Sequence, residues 1–104
     1  MKLRVIGKPR NVNFSNLTTT TSINAEGILI FTKTLAEVAA KSGPIIEAAK
    51  MDSIAWIAYP KAGQLGTNLN RDILWKHMLK KGVQGIRLIA LDDIWSAMRF
   101  RPGK

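Results

Sequence analysis

"GIRLIALDDIWSAMRFR", residues 85–101, decides the fold. Two apolar runs, 85–91 and 96–101, flank a break of four residues from Asp92 to Trp95. A parallel pair needs a crossover of about a dozen residues or more, so these two strands must run antiparallel. Asp92 and Asp93 are the only adjacent carboxylates in the chain. Neighbours on one tight turn point apart, and Asp is a good turn residue, so the pair reads as turn chemistry rather than a cation site.

Upstream the pattern changes. "SIAWIAY", 53–59, and "GILIFTK", 27–33, are continuous apolar runs of the kind buried on both faces of a sheet. "LRVIG", 3–7, is a shorter strand ended by glycine, and the polar stretch 11–24, with "TTTTS" at 18–22, is either extended or loop. After the 27–33 run, Thr34-Leu-Ala-Glu37 has the spacing of a capping box. The Ala-rich helix that follows is interrupted at Ser42-Gly43-Pro44, which predicts two pieces, about 35–41 and 44–50. Leu69–Lys81 predicts a further helix, ended by Gly82, with Lys80 and Lys81 at its negative end. Strands alternating with helices predict one α/β domain over residues 1–104. Its single Rossmann-like mixed sheet has about five strands, mostly parallel with an antiparallel C-terminal strand, and two main helices. So few helices cover one sheet face thinly, and a two-fold homodimer is the expected way to bury it.

Sixteen Lys and Arg against seven Asp and Glu give a net charge of +9. Such a surface favours polyanionic partners, nucleic acid foremost, although no run of five or six like charges marks a basic tail. Without cysteine there is no disulfide framework and no thiolate nucleophile or metal ligand. No apolar run approaches the roughly 18–20 residues of a membrane span, so no membrane partner is expected. The opening "MKLRVIGKPRNVNF" has too short an apolar run for a secretory signal, and the expected location is cytoplasmic.

"AYPKAGQLGTNLNRDILW", 58–75, carries the main candidate site. Lys61, Gly63, Gly66, Thr67 and Asn68 would stand at the C-terminal end of a strand and the N-terminus of a helix. There, free N–H groups and the helix dipole favour an anion. The Walker A pattern is absent: it requires Lys directly after the second Gly, and Lys61 lies five residues before Gly66. Each residue also has a local use. Pro60 and the glycines shape the turn, and Thr67 or Asn68 can cap the helix.

A second candidate is a basic patch of Arg87, Arg99 and Arg101. Arg99 and Arg101, two apart on a strand, share a face. Arg87 joins them if it pairs with Arg99 and faces away if it pairs with Phe100. The single His77 has apolar neighbours in Trp75 and Met78, and Asp72 is off its helical face, so it reads as structural. Trp56 reads as core, while Trp95, beside the turn, is the tryptophan expected to be exposed.

"WIAYPK" (56–61), "TNLNRD" (67–72) and "LDDIWSAMRFRP" (91–102) together resemble a small bacterial family known as a domain of unknown function. That family looks like the C-terminal part of a Rossmann-type methyltransferase fold, and the similarity covers most of the chain from Gly27 onward. It implies that the final strand inserts beside strand 53–59, leaving strand 85–91 at the edge. It also exposes departures. A methyltransferase binds its cofactor at a glycine-rich turn after the first strand, where this chain reads "GKPRNVNF", with no G-x-G spacing. Where the family carries Asp after the motif Thr, this chain has Asn68.

No glycine fingerprint, nucleophile–base pair or metal-ligand cluster can be assembled, so no catalytic residue, metal or cofactor is expected. The leading expectation is a non-catalytic structural or interaction module. Alternatives are a nucleic-acid- or phosphate-ligand-binding protein, and a degenerate S-adenosylmethionine-type fold that keeps a ligand pocket.

Overall fold

The computed structural model describes residues 2–6, 18–20, 27–51, 53–61, 66–91 and 94–103. The strands are β1 (Lys2–Ile6), β2 (Thr18–Thr20), β3 (Gly27–Phe31), β4 (Ile54–Pro60), β5 (Val83–Ala90) and β6 (Trp95–Pro102). Helices α1 (Leu35–Lys41) and α2 (Gly43–Lys50) lie between β3 and β4, and α3 (Arg71–Lys80) lies between β4 and β5.

The body of the molecule is a four-stranded mixed sheet in the order β3-β4-β6-β5, in which only β3/β4 is parallel. Outside β3, β1 and then β2 add by parallel pairing. The expected Rossmann-like sheet, about five strands and mostly parallel with two main helices, is therefore corrected. The short β5–β6 turn forces antiparallel pairing, and because β6 slots between β4 and β5 it runs against both. There are three helices, and their buried residues Val38, Ile45, Ala49, Leu74 and Met78 all join one cluster with Ile28, Ile30, Ile57, Met98 and Phe100. A doubly wound fold places helices on both faces. Here the opposite face is built from Leu29, Phe31, Trp56, Ala58, Trp95 and Ala97, with no helical residue among those described.

Local chemistry explains the helix ends. Thr34 Oγ1 accepts the N–H of Glu37 at 3.2 Å, and Glu37 reaches back to the N–H of Lys33 at 3.3 Å, a capping box displaced by one residue. Ser42 donates its N–H to Val38 and its carbonyl accepts Ile46, so α1 and α2 abut, with Pro44 in the first turn of α2, where its missing N–H is harmless. Gly82, at φ +90°, follows α3 in the left-handed conformation that stops a helix. Thr32, fully buried, donates its hydroxyl to the Ala58 carbonyl at 3.1 Å and ties the end of β3 to β4.

The β5–β6 ladder slips between Gly85 and Arg87, so Ile86 has no partner across the sheet. A Cβ on Gly85 would come 2.7 Å from Met98 Sδ and 2.8 Å from Trp75 Cδ1. Glycine at this position is what lets Trp75 of α3 close onto the edge strand.

Candidate functional site

The loop into α3 uses its residues differently from the expected anion site. Thr67 Oγ1 donates to the Lys33 carbonyl and accepts the N–H of Leu69, and Asn68 Oδ1 accepts the N–H of Leu35 at 2.9 Å. Both side chains therefore hold the start of α1 against the loop. The cap of α3 is Asn70, whose Oδ1 accepts the N–H of Ile73 at 2.8 Å; the expectation of Thr67 or Asn68 as cap is corrected. The helix begins at Arg71 rather than Leu69, because Leu69 is drawn into the core. Gly66, at φ +67°, makes the turn, while Gly63 lies outside the described residues, as do Asp92 and Asp93.

Lys61 has a different set of neighbours. With Tyr59, Asn70, Arg71, Asp72, Leu88 and Ser96 it lines a hollow of about 420 Å³ on the helix-covered side. An adjoining hollow of about 390 Å³ shares Arg71, Asp72 and Leu88 and continues over Trp75, Gly85, Ile86, Arg87 and Met98. The result is one cleft, polar at the end of β4 and apolar along β5. Tyr59 and Ser96 are direct partners across β4 and β6, only 3% and 8% exposed, and neither hydroxyl has a partner among the described residues. Burial holds the Tyr59 hydroxyl above its ordinary pKa; Arg71 opposes this and Asp72 adds to it.

Arg99 and Arg101 lie on the other face, and Arg87 on the edge strand pairs with Arg99 while also bordering the second hollow. Arg87 pairs with Arg99, which also faces Trp56, and Arg101 pairs with Gln84. Of the two registers open to the sequence, this one puts Arg87, Arg99 and Arg101 on a common face. Arg87 and Arg101 are exposed and Arg99 is half-buried. Buried Arg99 Nε and Trp56 Nε1 have no acceptor among the described residues. The ion pairs Lys41–Glu37 and Arg71–Asp72 both lie on the helices.

His77 belongs to neither site. Its Nε2 is buried without a partner among the described residues, and burial, then Lys81 and Lys80, hold its pKa below the ordinary 6.5. Trp95 is corrected from exposed to buried, at 2%, because it packs edge-on against Phe31 with ring centres 5.0 Å apart. The exposed tryptophan is Trp75, at 40%. Sequence reasoning missed Tyr59, Arg71, Trp75 and Ser96 as site residues. The signal available for the first two was their position on either side of the loop already singled out.

No known protein family matches the chain, and no curated protein is similar to it. The resemblance to the methyltransferase-like family therefore rests on its three motifs alone. Among the described residues, no helix is long and apolar enough to cross a membrane.

Proposed function

We propose that this chain is a non-catalytic binding module whose partner is a polyanion, in the first place the phosphate backbone of a nucleic acid, held by Arg87, Arg99 and Arg101. The observation that supports it is the pairing of Arg87 with Arg99. Like charges directly opposite on a sheet disfavour it, and neither arginine has a carboxylate partner among the described residues. An external anion bound at the exposed side of the pair removes that repulsion. The net charge of +9 adds long-range attraction.

Gel retardation of RNA and of DNA across a salt series tests this. Binding should weaken steeply with salt, and Arg87→Ala with Arg101→Ala should flatten the slope without lowering the melting temperature. No retardation at low salt would remove the proposal.

The second reading is a protein-interaction module that pairs with its own copy. Edge strand β5 supports it, with Ile86 and Leu88 exposed by 44% and 43% beside exposed Leu79 of α3. Sedimentation velocity decides it: a monomer at high concentration excludes the homodimer.

A further inference from the structure

We infer that the nucleic acid is single-stranded, and that the apolar hollow beside β5 holds one of its unpaired bases, stacked on Trp75. The inference rests on the nucleic-acid reading above and names the form of the polymer and the contact that selects it.

Arg87 links two surfaces of different chemistry. Through its pairing with Arg99 it belongs to the row that continues to Arg101, and it also borders the hollow lined by Trp75, Ile86 and Leu88. In that hollow Asp72 stands 3.6 Å from Arg71, whereas Arg87 has no carboxylate partner among the described residues. A cation at the rim of an apolar recess matches a ligand in which an anion is joined to a flat, weakly polar body. A nucleotide has that form. Only a chain of nucleotides also reaches Arg99 and Arg101, on the other side of the edge strand.

The recess is suited to the base rather than to the phosphate. Trp75, Ile86 and Leu88 leave 40%, 44% and 43% of their surface open around a volume of about 390 Å³, within the roughly 300–1,000 Å³ of small-molecule sites. The indole rests directly on the edge strand: a Cβ on Gly85 would come 2.8 Å from Trp75 Cδ1. An exposed ring held in this way loses little freedom when a base lies on it. Every base has a π face, so stacking of this kind tolerates any sequence. In a duplex those faces already stack on their neighbours, and exposing one costs unpairing. The hollow therefore favours an unpaired strand, while the arginines alone would accept either form.

The test compares oligothymidylate, its duplex with oligoadenylate, and polyglutamate as an acidic polypeptide without bases, all at one low salt concentration. Fluorescence anisotropy measures affinity, and tryptophan emission reports stacking. Trp56 and Trp95 are buried, so quenching reads Trp75. The single strand should bind about tenfold more tightly than the duplex and should alone quench the emission. Trp75→Leu should remove that preference and the quenching but leave duplex binding unchanged, and Trp75→Phe should keep most of the preference. Quenching in the parent protein needs no variant, so the test survives an unfolded Trp75→Leu. Equal affinity for single strand and duplex, unchanged emission at saturation, or polyglutamate binding as tightly as the single strand would each overturn the inference. The first two leave the arginine face as a nucleic-acid site, whereas failure of both nucleic acids to bind removes that reading as well.

Discussion

Asn68 Oδ1 accepts the backbone N–H of Leu35 at 2.9 Å, so the residue two before one helix cap closes the first turn of a different helix. Asn68→Ala is expected to cost about 0.5–2 kcal/mol, the range of a lost N-cap, and so is Asn70→Ala. Amide exchange tells them apart, with protection falling first in α1 for Asn68→Ala and in α3 for Asn70→Ala. Lys61→Ala should melt above both. An Asn68→Ala protein as stable as the parent would show that the bond to Leu35 contributes nothing.

Gly85→Ala should destabilise the protein by about 1–3 kcal/mol, the usual range for overpacking. The added methyl meets Met98 and Trp75 at less than 3 Å, so both side chains must shift. A red-shifted tryptophan emission should accompany the lower denaturation midpoint. Unchanged stability and emission would mean that the contact relaxes freely.

His77 makes stability depend on pH. Its folded pKa lies below 6.5, so near and below that value the unfolded chain binds more protons than the folded one. The stability it contributes as a neutral ring is complete above pH 6.5 and declines as pH falls through 6.5 toward the folded value. Urea midpoints between pH 7.5 and 5 should drop in the parent and flatten in His77→Gln. An equal drop in the variant would assign the dependence to other groups.

Thr32→Val removes a buried hydroxyl while keeping the shape of the side chain. The Ala58 carbonyl keeps the backbone N–H of Thr32 at 2.9 Å, so no acceptor is stranded. The expected cost is about 0.5–1.5 kcal/mol, that of one hydrogen bond. A chemical denaturation curve with unchanged slope would measure it; a loss above about 3 kcal/mol would point to repacking instead.

Short-range signals were legible. Pro44, the Thr34 box and Gly82 place helix ends, and the four-residue break before Ser96 dictates an antiparallel pair. What could not be read was which faces the elements share. Apolar runs such as "GILIF" have no alternation to say that one side meets helices and the other does not. Nor does local sequence show that Thr67 and Asn68 would be drawn to Lys33 and Leu35, more than thirty residues away. The cleft was hidden for the same reason. Ser96 joins Tyr59 through a pairing between strands far apart in the chain.

The place of β6 between β4 and β5 has a consequence for the order in which the molecule is made. Strand β5 touches the rest of the sheet through β6, yet it leaves the ribosome first. Until Trp95–Pro102 has emerged, β5 has no partner strand, and the apolar face of α3 has only part of its floor. Synthesis of α3 and β5 and completion of the core are therefore separated in time, with β6 acting as a wedge that docks β5 onto β4. A nascent chain stalled before residue 95 should be protease-sensitive through α3 and β5, and release of the final strand should convert both at once.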